Sequence, residues 1–356
     1  MHLVEWCRIP TSGARAMEAF ELNGLSLLAI PQLAADVPGQ PPRMNGGDSD
    51  IEMPVLRRTA EGFEPFQSLP VPGGEDAEFF RIGERSFLAT ASIRRGHGPY
   101  DYGVDAQVFE WDGARFQLFQ SVPAFAAKQW RHFTIAGEHF LALAQGVPQP
   151  GNQPSRIYRW DGQAFEPFQE ITSEQGYNWH AFRVAGHNFL AYADHLAPSV
   201  LYRWDGSRFA VHQKLAEQYG RAFAFFSADG EDYLLVGCIQ GTSRLLRWDG
   251  ETFAEHAVLA GTGAREFAIL YGERGLHVLR VNFIHGTPAA PTTALNSQLY
   301  RWQDGGLHVV EEFPTTGGTD VTVFDGDLVA VSNGLSADVR FAAESVIYRF
   351  VEQEHP

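Results

Sequence analysis

Cysteine is nearly missing from this chain, with only Cys7 and Cys238 among 356 residues. The repeat register set out below puts them in different repeats, so two free thiols and a reducing, cytoplasmic setting are expected rather than a disulfide framework. Basic residues are also scarce: 27 lysines and arginines stand against 43 acidic residues, a net charge of −16. That balance repels phosphate backbones and anionic lipid surfaces, so neither nucleic acid nor membrane is expected as a partner. No apolar run approaches the roughly 18 residues of a membrane span. Met1 to Pro10 carry Glu5 and Arg8 without an apolar stretch, and no secretory signal is expected. No Gly-rich phosphate loop opens a helix and no Gly-x-Ser-x-Gly elbow occurs, which removes the ordinary nucleotide and serine-hydrolase readings.

What the chain has in abundance is repetition. Tyr158-Arg159-Trp160-Asp161-Gly162, Tyr202-Arg203-Trp204-Asp205-Gly206 and Leu246-Arg247-Trp248-Asp249-Gly250 are near copies, joined by Phe109-Glu110-Trp111-Asp112-Gly113 and, with one insertion, Tyr300-Arg301-Trp302-Gln303-Asp304-Gly305. Their tryptophans lie 49, 44, 44 and 54 residues apart, and Phe116, Phe165, Phe209 and Phe253 each follow five residues after one. A fixed offset across Asp-Gly reads as a β-hairpin, because both residues tolerate the positive φ of tight turns. A second hairpin lies upstream, as in His132 to Ala142 and Ala181 to Ala191. The short alternating or apolar runs, rich in aromatics, read as strands, four to a repeat.

Two diverged copies bring the count to seven. Phe20 to Leu28 matches the first hairpin, with Arg58 and Phe63 in the tryptophan and phenylalanine places; Val321 to Val331 and Ile347-Tyr348-Arg349-Phe350 form a last repeat that stops one strand short. Trp6-Cys7-Arg8-Ile9-Pro10 supplies that strand, since it aligns with the outer strands Phe66-Gln67-Ser68-Leu69-Pro70 and Phe119-Gln120-Ser121-Val122-Pro123. The expected fold is therefore all-β: one seven-bladed β-propeller of four-stranded antiparallel blades, closed by the N-terminal strand joining the C-terminal blade. The blades are expected at about 18–70, 76–123, 130–172, 179–216, 222–260, 264–313 and 319–350 plus 2–10. The Tyr-Arg-Trp-Asp-Gly strand, the Phe-Gln-x-Ile/Val outer strand and the Trp-x-x-Phe with Phe-Leu-Ala first hairpin resemble the EAR/EPTP repeat, the epilepsy-associated repeat of leucine-rich glioma-inactivated proteins. The resemblance runs through essentially the whole chain. It implies a propeller used mainly to bind other proteins, without cofactor and without recognised catalytic residues.

In such a propeller the second-to-third and the fourth-to-first connections emerge on one face, the top. Long top loops are expected at Pro31 to Asp50, Ser92 to Asp105, Gln145 to Pro154, Asn282 to Ser297 and Ser332 to Glu344. The starts of the inner strands line the channel mouth below them. Two residues before the hairpin phenylalanine stand Glu18, Arg131 and His180, with Asp76, Glu78, His132, Arg221, Arg265, Glu266 and Asp320 nearby and Trp130 and Trp179 one residue earlier. This ring, with Tyr100 and Tyr102 from the loop Arg94 to Tyr102, is the expected ligand site, charges orienting and rings burying a bound group. Water and inter-blade ion pairs are the structural alternative for the same residues.

The histidines His97, His132, His180, His195 and His285 lack close spacing, so no metal site is expected, and no cofactor is expected either, as the resemblance implies. Asn45 to Asp50 reads as a polar loop, because it lacks the later bidentate Glu of a calcium loop. Cys238 reads as an inert thiol. His180 with Asp76 or Glu78 is the one candidate acid-base set. The leading functional expectation is a recognition module binding a protein or small ligand at the top face and channel mouth. The alternative is a cofactor-independent isomerase, cyclase, lyase or hydrolase of small molecules, working through those acid-base residues.

Overall fold

The computed structural model describes residues 2–273 and 275–351. Seven four-stranded antiparallel sheets follow one another in the chain, with no helix among the described residues. Blade 4 is typical, with Gly176–Val184 innermost, then His187–Asp194, Ser199–Trp204 and, outermost, Phe209–Ala216. Inner strands neighbour one another around the ring, which closes between Gly318–Phe324 of blade 7 and Glu18–Leu22 of blade 1. His2–Ser12 pairs antiparallel with Ala342–Val351 as the outer strand of blade 7, as the repeat register requires. The first and last described strands thus share a sheet, which completes blade 7.

Two turn types recur. In the first hairpin of blades 3 and 4 both central residues take positive φ, Ala136-Gly137 at +51° and +85° and Ala185-Gly186 at +47° and +81°. This two-residue geometry matches the right-handed twist of the flanking strands. The Trp-Asp-Gly turn works differently from its expected reading. Only the glycine takes positive φ, +104° at Gly113 and Gly162, +105° at Gly206 and +106° at Gly250. The aspartate acts through its side chain: Asp161 Oδ1 accepts the N–H groups of Gln163 and Ala164 at 2.7 and 2.8 Å, and Asp112, Asp205 and Asp249 do the same. Those N–H bonds favour the ionised carboxyl and hold its pKa below the usual range.

The glutamine of the outer strand joins blade to blade. Gln169 Nε2 donates to Phe209 O at 2.8 Å and its Oε1 accepts Phe209 N–H at 2.9 Å. The same two-bond clamp links Gln67 to Phe116, Gln120 to Phe165 and Gln213 to Phe253. Each glutamine therefore seats the next blade's conserved-spacing phenylalanine, satisfying a backbone donor and acceptor that face no strand. Inside this outer ring the core is divided by interface: seven of the apolar clusters each draw on two adjacent blades, including the pair 7 and 1. An eighth lies above them, where Leu33, Met44, Ile239, Phe283, Leu335 and Phe341 from the top loops pack together. The two cysteines are free thiols, Cys238 buried. Burial raises the Cys238 pKa, which leaves it protonated and unreactive.

Candidate functional site

The inner strands begin higher toward the mouth than the sequence pattern places them, at Ala127 and Gly176 in blades 3 and 4 instead of 130 and 179. In blades 2 to 7 a β-bulge follows the first residue, at Glu75, Lys128, Tyr177, Arg221, Arg265 and Thr319. Arg15 holds the same place in blade 1, just after the Ala14–Gln32 bridge. A bulge turns an extra side chain out of the pleat. Arg15, Glu75, Lys128, Tyr177, Arg221 and Arg265 consequently line the channel.

Beyond the bulge the alternation of a strand decides direction. Residues one and three positions further on, among them Asp76, Glu78, Gln129, Arg131, Asn178, His180, Glu266, Asp320 and Glu18, line a lower chamber of about 310 Å³. The intervening ones turn between blades, which corrects three expected site residues. Trp130 and Trp179 are 0% exposed, the first donating its indole N–H to Thr90 O at 3.0 Å and the second lying over Tyr192 with ring centres 4.2 Å apart. His132 stacks on Phe80 at 4.5 Å and its Nε2 meets His139 Nδ1 at 3.0 Å. The aromatic of the bulge ring is Tyr177, which the pattern did not single out.

The polar ring of the lower chamber has a structural task. An innermost strand leaves backbone N–H groups without a neighbouring strand, and side chains of the preceding blade accept them: Glu18 from Phe79, Asp76 from Trp130, Glu78 from His132, Gln129 from Trp179, His180 Nε2 from Phe225 and Asp320 from Met17. Blade 5 has Ala222 and Ala224 at the accepting places, and there Glu266 of blade 6 accepts its neighbour Phe267 N–H instead. Arg131 pairs with Glu78 at 3.2 Å, and Asn178 Nδ2 reaches Glu266 Oε2 at 3.0 Å.

Crowded, buried carboxyls resist ionisation. Burial, then the neighbouring Glu78, raises Glu18 to about 8; burial, then Asp320, raises Glu266 to about 8; burial and Glu78 hold Asp76 well above the usual range. Burial and the Arg131 charge push His180 down to about 3, so it is neutral near pH 7 with its proton on Nδ1. His180, Asp76 and Glu78 line one chamber, yet each is engaged with a different backbone N–H.

Above the bulge ring lies a second chamber of about 320 Å³, sharing Arg15, Glu75, Tyr177 and Arg265 with the first. Glu75 meets Arg15 at 3.2 Å and Arg265 at 3.8 Å. The Arg221 guanidinium lies 3.5 Å from the Tyr177 ring centre, a cation–π contact, and its Nη1 meets His195 Nδ1 at 2.9 Å. Burial raises the Tyr177 phenol, but the cations Arg221 and Lys128 outweigh it and bring the pKa below the ordinary value. Tyr102 lines this chamber, whereas Tyr100 lies in a separate groove along the loop 36–47 and packs on Arg94 at 3.7 Å. Among the described residues one trio of possible metal ligands converges, Asp48, Asp50 and His97, ligand atoms within 4.8 Å. Its half-buried to exposed groups already tie two top loops, Asp50 Oδ1 accepting Gly96 N–H at 2.7 Å. The histidines of the other blades do not join it.

Residues 62–112, 115–161, 164–205 and 208–249, just over half of the chain, match the EPTP domain. Each matched segment opens at the outer strand of one blade and closes on the third strand of the next, the same one-strand stagger that closes the ring. The chain is 28% identical over 126 residues to the human "Thrombospondin-type laminin G domain and EAR repeat-containing protein", covering 35% of this chain and 17% of that one. It is 30% identical over 95 residues to the mouse protein of the same name, covering 26% and 14%. The matched part is under a fifth of either relative's length. With the repeat, the blade count and the closing strand in agreement, this chain belongs to the EPTP, or EAR-repeat, family of β-propellers.

Proposed function

We propose that the propeller is a recognition module that takes a protein partner on its top face, over the channel mouth. The observation that carries this reading is the upper chamber: a cationic ring under an apolar layer of top loops, in a chain of net charge −16. Opposed charge of this kind guides and orients an approaching partner. Membership of a repeat family built for interaction agrees with it. The acid-base residues favour the same reading over catalysis, because Asp76, Glu78 and His180 serve as acceptors for backbone N–H groups.

Capture from an extract of the source organism tests the proposal with three forms of the chain: wild type, a top-face variant Tyr102→Ala/Arg265→Gln, and a bottom-hairpin variant Gln163→Arg. One and the same protein retained by wild type and by the bottom variant, and lost from the top variant, is the expected result. Retention by the top variant together with loss from the bottom one overturns it.

A further inference from the structure

Five cations surround the upper chamber and its lower boundary, Arg15, Arg94, Lys128, Arg221 and Arg265, of which Arg94 is held by Ser49 Oγ and the carbonyls of Asn45 and Gly46. Two carboxylates answer them. Glu75 is shared between Arg15 and Arg265. Asp194 is buried, and its oxygens are occupied by the N–H groups of Glu174, Gln175, Leu196 and Ala197. Lys128 is held by the carbonyls of Ala126 and Gly146.

Arg221 is the exception. It is 6% exposed, forms no carboxylate pair among the described residues, and its Nε is buried without a hydrogen-bond partner. Its Nη1 meets His195 Nδ1 at 2.9 Å and donates to Gly220 O at 3.1 Å, and its face lies on the Tyr177 ring, but these partners are neutral, and a buried guanidinium without a paired anion carries a desolvation cost on the order of several kcal/mol. The same chamber is also lined by the apolar side chains of Leu33, Met44, Ile239 and Phe283.

We infer that this chamber is a socket for a carboxylate attached to an apolar body, the carboxylate on Arg221 and its neighbours and the apolar part under the loop layer. The inference deepens the recognition reading and rests on it. A guanidinium fork matches a planar carboxylate through paired N–H bonds. Phosphate would meet the same fork but gain nothing from the apolar lining, so the apolar residues of this chamber favour an organic acid. Two sources carry this chemistry: the C-terminal residue of a partner chain and a free aliphatic acid.

Calorimetric titration of the full chain at fixed ionic strength tests it with N-acetyl-leucine, N-acetyl-leucinamide, hexanoate and inorganic phosphate. Saturable binding of at least one carboxylate is expected, with the amide and phosphate weaker by about tenfold or more, the worth of one charge-assisted bond. Arg221→Gln loses binding by a similar factor and Arg221→Lys recovers part of it. Tighter binding of N-acetyl-leucine than of hexanoate assigns the socket to a chain terminus, and the reverse order assigns it to a free acid. Thermal unfolding gives a second reading: without ligand, Arg221→Gln is as stable as wild type or more so. Equal binding of the amide or of phosphate, no saturable heat from either carboxylate, or unchanged affinity in a folded Arg221→Gln overturns the inference. Unchanged partner capture by that variant would then leave the recognition reading standing, whereas loss of top-face dependence in the capture experiment removes that reading whatever the carboxylates do.

Discussion

Replacing Gln169 with leucine removes both bonds of one inter-blade clamp at nearly constant side-chain size, so the loss is one of hydrogen bonding. The bonds are 2.8 and 2.9 Å, both to the backbone of Phe209. Each contributes about 1 kcal/mol net, and the site is partly buried, so the stranded N–H and carbonyl regain only some hydration. The expected loss is about 2 kcal/mol. For 356 residues the unfolding entropy is roughly 0.75 kcal/mol/K at the midpoint, which turns about 2 kcal/mol into a Tm lower by about 3 °C. Differential scanning calorimetry of wild type, Gln169→Leu and the exposed hairpin control Gln163→Ala measures it, the control staying within about 0.5 kcal/mol. Because the clamps are spread around the ring, Gln67→Leu/Gln169→Leu is expected to lose about twice as much. A leucine variant as stable as the control would refute the clamp as a source of stability and reduce the glutamine to a feature of sequence only.

Gly176→Ala is expected to cost about 2 kcal/mol by overpacking, since a methyl there would lie 2.0 Å from Tyr192 Oη and push it from its bond with Ser155 Oγ; chemical denaturation checks it. The pH dependence of stability follows from opposed groups. Glu18 and Glu266, raised to about 8, keep their protons in the fold while the unfolded chain releases them above 4.5, so stability falls as pH rises from 4.5 to 8. His180, lowered to about 3, and His132 and His195, each lowered to about 4, act in the other direction, their contribution being lost as pH falls below 6.5. Between 6.5 and 8 only the acids change, and stability is expected to decline there by up to about 1.4 kcal/mol per pH unit per proton. Glu18→Gln, which keeps an acceptor for Phe79 N–H, flattens that decline in midpoint measurements across the range, and an unchanged slope would contradict the assignment.

The spacing of the tryptophans carried five blades and the two diverged copies the others, because each marks the same strand of a unit that cannot bury its faces alone. The alignment of Trp6 to Pro10 with outer strands likewise carried the closure. The site was legible in part. Glu18, Asp76, Glu78, Arg131 and His180 do line the channel, but Trp130, Trp179 and His132 do not, since two-residue alternation sends them between blades. Their polar or amphipathic types gave no warning of direction. The bulge at the head of six inner strands shifts one side chain into the mouth, and no hydrophobic pattern reports a bulge. A signal was nonetheless present: a small residue followed by a larger one recurs at Gly74-Glu75, Ala127-Lys128, Gly176-Tyr177, Gly220-Arg221 and Ala264-Arg265, in the same register before the hairpin phenylalanine, whose place Leu270 takes in blade 6. Arg280, fully buried and bonded to the carbonyls of Ala260, Gly261 and Thr262, had no such marker; only the folded loop explains it.

The account turns on which face of the propeller meets its partner. A photo-crosslinking side chain placed at Gln40 or Pro288 on the top loops, and at Gly137 or Gln163 on the bottom hairpins, reads this directly in the extract. A discrete adduct from the top positions alone, diminished when Arg221→Gln is added, is the predicted result. Adducts from the bottom positions with none from the top would contradict it.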